Sequence, residues 1–147
     1  MVKEIWFDMD GTFVNFYGVK GWLDYLMNEE TTPYEIAMPL FNMSVFARVL
    51  NKLIRNGYKI NIVSWCSKGA TPEYCERIAQ SKIAWLSRHL PSVHFNEIKI
   101  VPYGTYKEKV ANFSKGILFD DEIANRQYWS GTAYNVDNII GILKGLV

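Results

Sequence analysis

"IWFDMDGTF", residues 5–13, runs from apolar side chains into Asp8 and Asp10, one residue apart, and then into Gly11 and Thr12. Like charges so close repel and resist leaving water. A buried strand that ends this way therefore needs something at its tip to compensate two carboxylates.

Four further apolar runs rich in β-branched residues share the strand character of the first, Lys3 to Phe7. They are Lys59 to Val63, Ile98 to Val101, Ile117 to Phe119 and, more weakly, Ala133 to Val136. Helical patterns lie between most of them. After Ser44, residues Val45, Phe46, Val49, Leu50, Leu53 and Ile54 share one face, and Asn56-Gly57 ends it. A second helix has Thr71 as N-cap, Pro72 at its first position and Pro91 beyond its end. Thr105 to Glu108 matches a capping box and predicts a third, and the last is expected from Asp137 with Ile139, Ile140, Leu143 and Leu146 buried. Strands alternating with helices predict an α/β fold: right-handed βαβ units, with a parallel sheet covered on both faces.

Composition limits the function classes. The 147 residues, 49% of them apolar, suit one domain spanning 1–147. Sixteen basic against fifteen acidic residues leave a net charge of +1, which gives no electrostatic case for a nucleic-acid or membrane partner. No apolar run approaches the roughly 18 residues of a membrane span, and no signal-peptide pattern opens the chain, so the expected location is cytoplasmic. Cys66 and Cys75 fit neither a zinc pattern nor a secreted disulfide framework and are expected as reduced thiols.

In open parallel sheets, functional groups gather beyond the carboxyl ends of the strands. Asp8 and Asp10 follow the first run, Ser64 the second, and Asp120 and Asp121 the fourth, while Lys107 lies beyond the third. Four of the six aspartates thus converge on one rim, where a divalent cation would neutralise them. Magnesium takes hard oxygen ligands and is usually held by one or two carboxylates plus a substrate phosphate. Asp8 and Asp120 would supply them. A carboxylate attacking phosphorus gives covalent catalysis, with its neighbour shuttling the proton. Ser64 and Lys107 suit the developing charge on the phosphoryl oxygens. Each residue also has a plainer reading: Ser64 as N-cap or turn material, Asp120-Asp121 as the cap of a following helix, and Lys109 in place of Lys107.

"DMDGT" at 8–12, "IVSWCSKG" at 62–69, the lysine of "YGTYKEK" at 103–109 and "ILFDDE" at 117–122 resemble, in order, the four motifs of the haloacid dehalogenase superfamily of phosphohydrolases. The resemblance implies a Rossmann-like sheet of order 5-4-1-2-3 and a Mg2+ cofactor. It makes Asp8 the nucleophile and Asp10 the acid/base. Phosphate would be bound by Ser64, Trp65 and Lys107. The metal would be held by Asp8, Asp120 and the backbone carbonyl of Asp10, with Asp121 joining the metal or supporting its ligands. "YGTYK" and Trp129 are similar to the small 5′(3′)-deoxyribonucleotidases, although that subgroup carries another aspartate where this chain has Asn15, and a longer insert.

Members of the superfamily differ in the insert that caps the site, here about residues 13–43, enough for a helix or two on the core. Its aromatic residues Phe16, Tyr17 and Tyr25 are candidate substrate contacts, whereas Val19, Trp22, Leu23 and Leu26 have the spacing of a buried helix face. The expected function is hydrolysis of a small phosphate ester such as a nucleotide 5′-monophosphate. Alternatives are a phosphatase of polynucleotide ends or phosphoproteins, phosphotransfer to another acceptor, and a non-catalytic phosphate-binding protein. A homo-oligomer would let a neighbour close the rim.

Overall fold

In the computed structural model, which describes residues 2–147, five parallel strands form one sheet with helices on both sides. These are β1 (Glu4–Phe7), β4 (Lys59–Trp65), β5 (Glu97–Val101), β6 (Ile117–Phe119) and β7 (Thr132–Tyr134). Two-residue strands β2 (Val14–Asn15) and β3 (Met38–Pro39) pair antiparallel with each other outside it. The order is β5-β4-β1-β6-β7. The expected 5-4-1-2-3 is corrected to 5-4-1-6-7 in this numbering, because β2 and β3, which the apolar pattern did not announce, fall between the first and second strands of the main sheet. Counted within that sheet alone, the order is 3-2-1-4-5, with β1 at the centre and β5 at one edge. Lys99 sits on that edge, half exposed beside Glu97.

Alternation along β1 sends Ile5 and Phe7 to one face and Trp6 to the other. On the first face Phe7 stacks on Phe119 at 5.2 Å and meets Phe46 edge-on at 5.4 Å. Around them pack α3 (Met43–Arg55), α4 (Pro72–His89) and α7 (Ile139–Leu146) through Leu50, Leu53, Ile78, Trp85 and Leu143. On the second face Trp6, Val63 and Leu118 pack with Ala111 and Trp129, which lie at the ends of α5 (Lys107–Val110) and α6 (Ile123–Tyr128). Each large side chain so buried contributes about 1.5–3 kcal/mol.

Helix ends follow their capping chemistry. Thr71 accepts the Tyr74 N–H at 3.1 Å at the start of α4, and Asn42 accepts from Val45 at the start of α3. Two expected ends differ. Thr105 Oγ1 donates instead to Pro102 O at 2.7 Å, so its hydroxyl is spent in the preceding turn and α5 starts at Lys107 without a capping box. The last helix starts at Ile139, capped by Asn138, and buries Ile139 and Leu143 but only half-buries Ile140 and Leu146.

The insert folds as the β2–β3 pair, a 3-10 turn at Phe16–Gly18, α1 (Trp22–Met27) and α2 (Thr32–Ile36). Three hydrogen bonds tie it to α4: Tyr74 OH to Glu30 O, Trp85 Nε1 to Ala37 O and Arg88 Nη2 to Glu35 O, at 2.7–2.8 Å. The expected buried face of α1 is corrected: Leu23 is exposed, and Val19, Trp22 and Leu26 pack at the edge of the core but are only half-buried, because α1 also borders a cavity. Cys66 and Cys75 are likewise not free thiols. They form a disulfide, since residues 67–71 turn back and bring their Cα atoms to 5.5 Å. Among the described residues, no helix is long and apolar enough to cross a membrane.

Candidate active site

The sheet ladder continues past the strand ends and positions the acidic residues. Asp8 N–H donates to Phe119 O at 2.9 Å and Asp120 N–H to Tyr134 O at 3.2 Å, so the carboxyl groups leave adjacent strands side by side. The chain then turns at once. Met9 O accepts the N–H groups of Thr12, Phe13 and Val14, and Gly11 has φ +79°. A side chain at Gly11 would be strained by that φ and would strike the Asp121 carboxylate. Gly11 thus lets the first loop and the Asp120-Asp121 loop close on each other.

Lys107, at the head of α5, is buried between the two strands. Its ammonium lies 3.0 Å from Asp8 Oδ1 and 2.7 Å from Asp120 Oδ2. Thr12 Oγ1 donates to Asp8 Oδ2 at 3.0 Å. Asp120 is also held by Asn125 Nδ2 at 3.1 Å, by the Glu122 N–H at 2.9 Å and, at its carbonyl, by Arg126 Nη1. The capping reading of Asp120-Asp121 is not met: Glu122 is the N-cap residue of α6 and no side chain caps that helix, and the Asp120 oxygen that Lys107 leaves free accepts the Glu122 N–H in the turn before it.

A second ammonium was not foreseen. Lys82, on α4 and 1% exposed, donates to Asp10 Oδ2 at 2.8 Å, Ser64 Oγ at 2.7 Å and Trp65 O at 2.8 Å, which uses all three of its N–H bonds. Its signal in the sequence is a lysine on the apolar stripe of Ile78, Trp85 and Leu86, where a charge needs partners. Ser64 is not a helix cap, a role taken by Thr71. Lys109, the competitor of Lys107, is excluded from the cluster and lies over the exposed Tyr106 ring at 4.9 Å.

The environment pushes the carboxyl groups apart in acidity. Burial alone would raise Asp8, but the Lys107 ammonium, a hydrogen bond with Asp121 and the Lys82 charge hold it below its ordinary range. Burial raises Asp10 against the pull of Lys82, with the Asp8 charge adding to the rise. Burial and then the Asp8 charge push Asp120 up to about 6. Asp121 is pushed up to about 8 by burial, the charge of Asp8 and a hydrogen bond to it, and the charge of Asp120.

Oxygen atoms of Asp8, Asp120 and Asp121 all lie within 4.8 Å of one another. Asp10 is not in this group, its carboxylate being turned to Lys82. Four carboxyl groups thus face two ammonium groups, and the surplus of carboxyl groups and the all-oxygen donor set fit a hard divalent cation such as Mg2+, which would take the place of protons on Asp120 and Asp121.

This fit has a thermal consequence. Asp120 and Asp121 bind protons more tightly folded than unfolded, so their stabilisation is complete below the ordinary value of 3.8 and is lost as pH rises through about 6 and about 8. Asp8, depressed, gives its full contribution above its ordinary value and does not oppose this. In chelator, the melting temperature is expected to fall by several degrees between pH 5 and 8. Millimolar Mg2+ should raise it more at pH 8 than at pH 5, because fewer protons remain to be displaced. A magnesium effect that is absent at both pH values would rule out this group as a cation site.

Beside the acidic cluster lies a cavity of about 440 Å³ whose walls include Phe16, Tyr17, Trp22, Leu26, Tyr34, Trp65 and Tyr103. Phe16 is buried against the Tyr34 ring at 4.6 Å, and Tyr17 is exposed at the mouth. Trp65 is held by its Nε1 bond to Thr105 O, with its ring 4.8 Å from that of Tyr103 and the Lys107 ammonium 5.2 Å from it. Tyr25 is not brought here: it is half-buried on the other side of α1, outside the cavity. A scan of the chain against protein-family models finds no match, and neither does a search of curated proteins.

Proposed function

We propose that this chain is a magnesium-dependent phosphomonoesterase of the haloacid dehalogenase type, acting on a small ester such as a nucleotide 5′-monophosphate through an aspartyl-phosphate on Asp8. The observation that carries the reading is the pair at the tip of β1: one carboxyl group held ionised by Lys107, its neighbour two residues on pushed towards the protonated form, both on one cavity. Carboxyl groups driven apart in this way divide the roles of nucleophile and acid.

Asp8 attacks phosphorus, and the bond to the ester oxygen breaks. Asp10 gives that oxygen its proton, then takes one from the water that opens the acyl phosphate, which returns both groups to their starting state. Ser64 Oγ, which accepts from Lys82 and keeps its own hydrogen, and Lys107 would donate to the phosphoryl oxygens, while Lys82, its three N–H bonds already used, holds Ser64 and Asp10 in position. Asp8, Asp120 and Asp121 would hold Mg2+, which supplies further neutralisation of the phosphoryl charge when bound. The aromatic walls favour a ring-bearing leaving group, and an enclosure of this size favours a small ester over a polymer end or a folded phosphoprotein.

Phosphate release from a panel of nucleoside monophosphates and sugar phosphates, with and without Mg2+, tests the proposal. Release is expected only with the ion, and faster from esters that carry a nucleobase. A chain that binds phosphate but hydrolyses none of the panel would instead be a binding module.

A further inference from the structure

Past Trp65, the chain forms the loop 66–71, and this loop is a wall between two cavities. One is the candidate active site. The other, of about 630 Å³, lies behind the loop and reaches Cys75, Glu76 and Ile100. Cys66, Ser67 and Lys68 face both. The disulfide fastens this wall to the first turn of α4. Cys66 is almost wholly buried, whereas Cys75 is partly exposed and opens on the rear cavity. A thiolate thus has a route to Cys75 Sγ that does not cross the substrate pocket.

The bond sits where it bears on phosphate. Cys66 follows directly on Ser64 and Trp65, whose hydroxyl and carbonyl receive Lys82. Its own N–H is tied to Val101 O at 2.8 Å, so the strand side stays anchored whatever the state of the sulfur. The far side of the loop has weaker fastenings: a turn closed by Ala70 N–H on Ser67 O, a hydrogen bond between Ser67 and Tyr34 of the insert, and Gly69 at φ +75° in open space. Opening the bond would leave Ser67 and Lys68, which face the phosphoryl pocket, on a loop that must be ordered again at each binding event.

We propose that Cys66–Cys75 is a reversible clasp on this loop, opened by a dithiol, and that opening it weakens the hold on phosphate; the second half rests on the phosphoryl site proposed above. One thiolate of the dithiol attacks Cys75 Sγ, and the electron pair of the broken S–S bond leaves on Cys66 Sγ, which takes up a proton. The second thiol then displaces Cys75 from the mixed disulfide. Two electrons pass to the protein, giving two thiols and a cyclic oxidised dithiol.

The test compares the full chain, oxidised and after dithiothreitol, in three measurements: thiols counted by alkylation and mass, amide exchange at 67–70, and affinity for inorganic phosphate in Mg2+. Native reduction is expected to expose both thiols, speed exchange at 67–70 by at least about tenfold and weaken phosphate binding by roughly 3–10-fold. A Cys66→Ser/Cys75→Ser double variant should match the reduced chain and ignore dithiothreitol. Thiols that appear only after denaturation, or exchange that stays within about twofold, would overturn the clasp. Faster exchange with unchanged phosphate affinity, or no phosphate binding in either state, would overturn its link to the site. If phosphate affinity responds but neither form hydrolyses any ester, the clasp stands and the hydrolase reading falls.

Discussion

Replacing Asp8 by asparagine is expected to lower turnover by at least about 10⁴-fold while leaving the fold intact, the scale seen when a nucleophile is removed from a concerted site. The exchange is nearly isosteric. The asparagine carbonyl still accepts from Thr12 or Lys107, and Phe7 and the sheet ladder are untouched. What disappears is the attacking charge. The substitution removes one of the charges that raise Asp120 and Asp121 but also an ion-pair partner of Lys107, two opposed effects, so the melting temperature should change by only a few degrees at neutral pH. Two measurements check this: steady-state phosphate release, and acid quenching of the wild-type chain with substrate followed by a search for phosphate on the peptide that contains Asp8. Substantial activity in the variant, or trapped phosphate on another residue, would sink the covalent mechanism.

Lys107→Met should have the largest effect on stability. Methionine fills much of the same volume, but it leaves Asp8 and Asp120 together without the ammonium that pairs with both. Removing one partner of a buried ion pair typically costs about 3–5 kcal/mol, so at neutral pH a drop in melting temperature of roughly 10 °C or more is expected. The sign of the pH dependence follows. The ammonium depresses Asp8 and counteracts part of the rise of Asp120. Without it both carboxyl groups move up, their protonated forms fit the site better, and the loss should shrink as pH falls to 5. Mg2+ should also restore part of it. Lys109→Met is the control: its ammonium is outside the cluster, and a change within about 0.5 kcal/mol is expected. Equal effects of the two variants would show that Lys107 does not hold the carboxylates together.

The two lysines show why part of the site was legible and part was not. Lys107 could be singled out by its place beyond the third main-sheet strand, although the capping box taken to place it does not form, because the Thr105 hydroxyl bonds Pro102. Lys82 follows no strand and belongs to no recognised motif. It reaches Ser64 and Asp10 from the middle of a long helix, a distance that only helix-on-sheet packing spans. Tyr25 lies outside the cavity for the matching reason: the rotation of a short helix about its axis is set by what it packs against, not by its composition.

By itself the sequence determined the α/β alternation, all five main-sheet strands to within two residues, and the convergence of Asp8, Asp10, Ser64 and Asp120 on one rim. Those features are local: apolar period, turn chemistry and the rule that chain leaving parallel strands emerges on one side. Tertiary structure alone decided which carboxyl group is held ionised, that Lys82 serves the site, that α1 borders a cavity, and that Cys66 meets Cys75. Each depends on distances and burial between segments far apart in the chain or folded back on themselves, and the charge state of a group depends on what surrounds it in space.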